Sequence, residues 1–413
     1  MNKKYQLDTE ENHVWLKELR EELLDFGRKF PSPEGLSYYL GSDGEPIRER
    51  PRELWITCRM AHVYSLGEAL EYPRCKELVD TAIHGIRKVL HDDQNGGYYP
   101  GIYSNLTPMA QKQCYGHAFV ILAAGSAMAM GHTEAEALFR ESTKIFLDKF
   151  WDEEKGLTRD TYNTEFTVLE PYRGLNANMH TVEAFLAAAD VTGEEIWRER
   201  AGRIITHVLK WAEENDWRIP EHFDEHWNPL PDYNKDKPDD PFKPYGATPG
   251  HGIEWSRLIT QWALSSGKDE TYIKKACALY DRAVSDGWNA DGNRGIVYTT
   301  DWQGRPVVHD RMHWTLAEAI NTSAVLYHVT GDTKYQTQYT EYMQYLNECV
   351  HDPVYGSWYH QLDEKNQLKE TVWPGKSDLY HALQSTLIPL LVPSVSVLPA
   401  VKKRLYLEDI KDE

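Results

Sequence analysis

Residues 116–131 read GHAFVILAAGSAMAMG, whereas residues 195–214 read EIWRERAGRIITHVLKWAEE. The first stretch is apolar or small on nearly every face, which suits a helix packed on both sides. The second places apolar residues three and four apart among charges, the pattern of a helix with one face in water. Residues 179–189 (MHTVEAFLAAA) belong to the first kind. Between such helices lie Gly-, aromatic- and β-branched-rich segments with the look of short hairpins, some carrying their own turn, such as Asp43-Gly44 and Gln303-Gly304. Six of them begin at or surround Gly35, Gly97, Gly156, Arg218, Gly295 and Gly356, in steps of 62, 59, 62, 77 and 61 residues. An outer helix, a hairpin connection and an inner helix, repeated six times, predict an all-α (α/α)6 barrel of twelve helices with short β-hairpins in the outer-to-inner connections. A solenoid of helix pairs competes, but its repeats run roughly 34 to 47 residues. The one enlarged step holds a Pro/Asp/Lys-rich insertion, residues 229–249, placed to cover a site.

No Ser/Gly/Pro linker or composition break divides the 413 residues, so residues 1–413 are read as a single catalytic domain. The formal net charge of −19 argues against nucleic acid and acidic membrane surfaces and favours a neutral small molecule. The five cysteines lack CxxC spacing and read as reduced thiols. Neither a signal-peptide core nor a membrane-length apolar run is found, so a cytoplasmic protein is expected and the Asn105-Leu106-Thr107 sequon is expected to be idle.

Polar chemistry gathers where each connection enters its inner helix. These places offer Arg59 (LWITCRM), Tyr115 (QCYGHAF), Asn176 and His180 (NANMH), His251 and Glu254 (PGHGIEW), Trp314 and Glu318 (HWTLAE), and Asp378 and His381 (SDLYH), with Trp373 just upstream. If all inner helices start at one end of the barrel, these residues converge there. The pairs His180/Glu183, His251/Glu254 and Asp378/His381 are three apart, so each shares a helix face and couples an imidazole with a carboxylate. Moving a proton beside a carbonyl near neutral pH needs a group that serves as base and then acid, and imidazole does both. Pro249-Gly250 puts His251 at a helix start, where the dipole favours its neutral form. Arg59 is suited to stabilise enediolate oxygens.

Most of the 17 histidines must nonetheless be surface or structural groups, and His62, His117, His313 and His360 are assigned there. A metal set would draw His180, His251 and His381 with Glu183 or Glu254, but no HExxH or comparable ligand spacing occurs. Glycine-rich phosphate motifs are also missing, so neither a metal nor a nucleotide cofactor is expected.

The strings LWITCRM, RGLNANMHTVEAF, YGATPGHGIEW, RMHWTLAEA and WPGKSDLYHAL resemble the N-acylglucosamine 2-epimerase superfamily, particularly its mannose isomerase and sulfoquinovose isomerase branch, over nearly the whole chain. The resemblance implies an (α/α)6 barrel and metal-independent interconversion of mannose-type aldoses, D-mannose and D-lyxose among them, with their ketoses through a cis-enediol. It implies His381 as the proton shuttle between C2 and C1, His251 as the ring-opening group or second acid/base, and His180 as a hydrogen-bond partner of the sugar oxygens. Arg59, Tyr115, Asn176, Glu254, Trp314, Glu318 and Trp373 would bind substrate. Sulfonate-binding members use an arginine and a glutamine where this chain has Pro241 and His360, which favours a neutral sugar. Gly375-Lys376-Ser377-Asp378 before Leu379-Tyr380-His381 departs from the string of disaccharide epimerases. A 2-epimerase, an (α/α)6 glycoside hydrolase using two of Glu183, Glu254, Glu318 and Asp378, and a non-enzymatic scaffold stay open as alternatives. The expected partner is a monosaccharide, with homo-oligomerisation undecided.

Overall fold

Every residue from Gly116 to Ala127 is buried, as an apolar helix with no polar face requires. The same holds from Leu54 to Gly67 and from Pro249 to Thr260. By contrast, residues 196–214 bury a stripe of Trp197, Ala201, Ile204, Ile205, Val208, Leu209 and Ala212. A computed structural model describes residues 2–408; Met1 and residues 409–413, the ends of the span read as one domain, lie outside the described residues.

Helix α1 (Glu10–Phe26) runs outside and α2 (Leu54–Ala69) inside. The alternation repeats in α3 (Cys75–Gly85) and α4 (Cys114–Met130), α5 (Ala135–Ile145) and α6 (Leu175–Thr192), and α7 (Ile196–Glu214) and α8 (Pro249–Ser265). It ends with α9 (Glu270–Gly287) and α10 (His313–Thr330), then α11 (Thr333–Tyr345) and a short α12 (Tyr380–Ser385). Each inner helix packs on the next and α12 returns to α2, so the inner ring closes, as the repeat predicts of an (α/α)6 barrel. Beyond the twelve expected helices, α13 (Val397–Lys402) packs on both α2 and α6 across the ring, burying Leu398, Pro399, Ala400 and Val401.

The connections form the expected short hairpins, with local antiparallel pairing around Gly35, Gly97, Gly156, Gly295 and Gly356, and they add pairings between connections. Self-pairing occurs at Tyr39–Leu40 with Pro46–Ile47, Trp151–Asp152 with Leu157–Thr158, and Thr299–Thr300 with Pro306–Val308. The other four two-stranded sheets join neighbouring connections: Arg52–Glu53 with Gly101–Ile102, Lys112–Gln113 with Thr161–Tyr162, Tyr172–Gly174 with His222–Asp224, and Arg311–Met312 with Gln361–Leu362. The reason lies at the helix starts, where the first N–H groups have no intrahelical acceptor. Leu54 N donates to Pro100 O (2.8 Å), Cys114 N to Asp160 O (2.8 Å), Leu175 N to Glu221 O (3.1 Å) and His313 N to His360 O (3.0 Å). Ala247 and Thr300 exchange backbone bonds in the same way, and Lys376 N donates to Leu40 O (3.0 Å), completing a belt around one mouth. The fourth marker, Trp217-Arg218, forms no strand; Arg218 is held instead by Asp286 (2.7 Å).

Two buried lysines pin this belt. Lys112 donates to Asp92 Oδ2 (2.7 Å) and Gly96 O (2.9 Å), and Lys376 bonds Asp352 and Gly356 O in the equivalent turn of the last connection. Asp92 in turn accepts from the backbone N–H of Gln94 and Asn95. Lys112→Met should therefore strand a buried carboxylate and cost about 3–5 kcal/mol in urea unfolding followed by circular dichroism. A loss under about 1 kcal/mol would contradict the pinning role.

Candidate active site

Because all six inner helices begin at the belted mouth, their first turns face one another there. A cavity opens at that end. Its walls include Arg59 from α2, Tyr115 from α4, Asn176 and His180 from α6, His251 and Glu254 from α8, Trp314 from α10, and Trp373, Asp378 and His381 at the last entrance. Of the residues singled out by sequence, Glu318 and Glu183 stand behind the wall rather than in it.

Three imidazoles share one arrangement. His381 Nδ1 lies 3.0 Å from Glu318 Oε1, His251 Nδ1 3.0 Å from Glu221 Oε1, and His180 Nδ1 3.3 Å from Glu183 Oε2. A carboxylate there accepts a hydrogen bond from Nδ1–H, which leaves Nε2 of each ring as the nitrogen with the lone pair. Only one of the three helical pairs expected from spacing forms. His251 takes Glu221 from the preceding connection in place of Glu254, and His381 takes Glu318 from α10 in place of Asp378. The first turn of a helix points its side chains at neighbouring elements, so the partner comes from across the ring. Trp314 lies between two of the imidazoles, 5.1 Å from the His251 ring and 5.9 Å from that of His381.

Asp378 is committed to Arg59, whose other nitrogen donates to Tyr115 Oη (3.0 Å) while the guanidinium packs over Phe119 and Tyr380. Burial would raise the Asp378 carboxyl, but the Arg59 charge prevails and holds it well below the usual carboxylate range. Burial lowers His180 to about 4 against the pull of Glu183, so the ring is neutral. Burial and the neighbouring Glu318 charge push Glu254 well above the ordinary carboxyl value, and its Oε1 has no hydrogen-bond partner. Burial also acts on Glu318, yet Arg257 (Nε to Oε2, 2.7 Å) and His381 outweigh it and keep the carboxylate ionised.

Residues 35–385 match the family described as N-acylglucosamine 2-epimerase (GlcNAc 2-epimerase). The chain is 38% identical over 396 residues to a protein named D-mannose isomerase from Pseudomonas cannabina pv. alisalensis, covering 94% of this chain and 95% of that one. It is 39% identical to a D-mannose isomerase from Thermobifida fusca, covering 92% and 94%. A crystal structure of a D-mannose isomerase superposes with a TM-score of 0.85 at 27% identity, over 91% of this chain and 97% of that one. The chain belongs to the N-acylglucosamine 2-epimerase family. It is an enzyme of the isomerase class, and its helical barrel is the fold of that family.

Several wall residues were not singled out by sequence. His313 and His360, set aside there as structural, line the cavity as a stacked pair with ring centroids 3.9 Å apart, His313 Nε2 3.2 Å from Asp378 O. The signal for His313 was its place at an inner-helix entrance. Tyr298 and Trp55 also face the cavity, and Pro241, Phe242 and Pro244 bring the enlarged step over it. Phe242 wedges among Trp55, Tyr115 and Trp373 at centroid distances of 5.9, 5.8 and 5.4 Å. Lys243 turns into a neighbouring cavity, its Nζ 3.8 Å from the Tyr172 ring centroid and 3.6 Å from Glu170. Two groups bring possible metal ligands together, His180/Glu183/Glu254 and Glu254/Glu318/His381. Both surround the fixed guanidinium of Arg257, 2.7 Å from Glu318, 3.8 Å from Glu254 and 4.0 Å from Glu183, which opposes a second cation there.

Among the described residues, no helix is long and apolar enough to cross a membrane. Burial lowers His62, His180 and His313 each to about 4, against about 6.5 in the unfolded chain. A depressed histidine stabilises the fold fully above its unfolded value and loses that contribution as pH falls towards the folded value. Glu254 and Asp160, the latter raised to about 6 by burial, act in the opposite sense but are fewer. The melting temperature should therefore be level above about pH 7 and fall steadily from about pH 6.5 to about pH 4. A flat or rising profile across that window would show that these rings are not held neutral.

Proposed function

We propose that this isomerase interconverts D-mannose, and the shorter D-lyxose, with the corresponding ketoses, D-fructose in the case of mannose. It works through a cis-enediol without a metal. The observation that carries the reading is the fixed Nε2 of His381 at the cavity wall, its Nδ1 proton held by the ionised Glu318. A neutral imidazole so oriented takes the C2 proton of the open-chain aldose. The C2–H electrons form the C1–C2 double bond, and the carbonyl oxygen takes on the negative charge. The O2 proton passes to O1, and return of a proton from the His381 imidazolium to C1 while the C2 oxygen becomes the carbonyl gives the ketose, with atoms and charge balanced.

His251, anchored by Glu221 on the other side of Trp314, is placed to open the sugar ring by moving a proton between O1 and O5. The neutral His180 hydrogen-bonds the sugar oxygens, and Arg59 with Tyr115 offers donors to the enediolate. Asn176, Trp314 and Trp373 shape the rest of the wall. The similarity to D-mannose isomerases supports the choice of mannose. So does the charge of the cavity wall: among the described residues that line it, Arg59 has its charge balanced by Asp378, and Lys243 points elsewhere, so a sulfonate or phosphate on C6 would lack a dedicated cation.

Purified protein incubated with D-mannose and EDTA should form D-fructose at the rate seen without EDTA, measured by chromatography of the sugars. Folded protein that leaves mannose unchanged would end the assignment, and release of sugar from a glycoside would favour the hydrolase alternative. His381→Ala should lower kcat by about 10²-fold or more while leaving the helical circular-dichroism signal intact. Turnover at the unsubstituted rate would remove His381 from the shuttle role.

A further inference from the structure

One buried side chain at the centre of the ring has no part in the chemistry so far. Arg257 on α8 is 4% exposed, and its Nε donates to Glu318 Oε2 at 2.7 Å. Its Nη2 stands 3.8 Å from Glu254 Oε1 and 4.0 Å from Glu183 Oε1 and has no hydrogen-bond partner. Three carboxylates from three inner helices thus converge on one guanidinium in a dry core, where an unpaired charge is costly. The nearest other fixed cation, Arg59 on α2, is taken by Asp378. His62 on α2 faces the same core from below, its Nδ1 bonded to Ser126 Oγ at 2.7 Å, and is neutral. From α12, Tyr380 bonds Glu183, and His381 bonds Glu318; from α6, His180 bonds Glu183.

A single positive charge among three carboxylates does not hold all of them ionised, and hydrogen bonding decides which keep their charge. Glu318 receives Arg257 and His381, and Glu183 receives His180 and Tyr380. Glu254, also at the cavity wall, has an oxygen with no hydrogen-bond partner. We propose that Arg257 is a positioning residue which, acting through Glu318 and Glu183, fixes the tautomers of His381 and His180 and leaves Glu254 as the carboxyl that carries the proton. Glu254 then donates a hydrogen bond to a sugar oxygen, while the two ionised carboxylates keep their histidines as bases. A guanidinium suits this task because its fork meets several carboxylates from one fixed plane, whereas an ammonium is a compact point charge on a flexible stem.

The proposal rests on the isomerase reading for its kinetic consequence but not for its electrostatic one, so the experiment reads both. Arg257→Met and Arg257→Lys are compared with the unsubstituted enzyme in kcat and KM for mannose from about pH 5 to about pH 9. In parallel, the His381 ring is titrated by NMR on protein labelled at histidine Cε1, assigned with His381→Gln. Arg257→Met should lower kcat by about 100-fold, change KM by less than about threefold, and displace both the pH–rate profile and the His381 titration by about one unit or more. Arg257→Lys should recover part of kcat with an intermediate displacement. A folded Arg257→Met enzyme with an unmoved profile and titration would overturn the proposal. Where Arg257→Met does not fold, Arg257→Lys decides in the same terms: a displaced titration supports the proposal and an unmoved one overturns it. If the unsubstituted enzyme leaves mannose untouched, the functional reading fails by itself and the NMR titration still decides the role of Arg257.

Discussion

A carboxylate accepting the Nδ1 proton of a histidine is the contact on which this site depends. It occurs three times around one cavity, at Glu318–His381, Glu221–His251 and Glu183–His180. Each instance turns an ambiguous imidazole into a ring with a known protonated nitrogen and a known basic one. Glu318 holds its charge in a dry core because Arg257 lies against it, and Glu254 gives way to burial and to Glu318. The site can accordingly contain the neutral His180 and a protonated carboxyl side by side.

The barrel makes that arrangement affordable in structural terms by separating two jobs. Outer helices such as α7 meet water with charge and the inner ring with an apolar stripe, and inner helices such as α4 supply contacts on every face. The starts of the inner helices are then fixed by backbone bonds from each connection to the next, with Lys112 and Lys376 locking two of the turns. Side chains in the first turns, Tyr115 and His251 among them, inherit the rigidity of that belt. α13 packs on α2 and α6, two inner helices that are not neighbours in the ring, and ties them together.

Much of this was legible in the sequence, for reasons that particular residues make clear. The inner helices declared themselves because a fully buried helix needs small or apolar side chains all round, as residues 116–131 show. The near-regular steps between glycine markers gave the sixfold repeat. What periodicity could not reveal was pairing between connections: residues such as Lys112 and Tyr162 meet only once the ring is closed. The same limit explains the misassigned carboxylates. Spacing of three along a helix pointed to Glu254 for His251 and Asp378 for His381, whereas the true partners, Glu221 and Glu318, lie 30 and 63 positions away. His313 and His360 were set aside for a related reason, since their stacking joins two entrances that sequence treats as unrelated.

The central claim is that one fixed imidazole, His381, carries a proton from C2 to C1 on a single face of the sugar. Converting mannose in heavy water and reading the product by NMR tests it most directly. Where the proton held on His381 exchanges with solvent before its return, the account predicts fructose bearing that deuterium at one of the two C1 positions. Deuterium spread equally over both C1 positions, or a product that is mainly glucose labelled at C2, would contradict it.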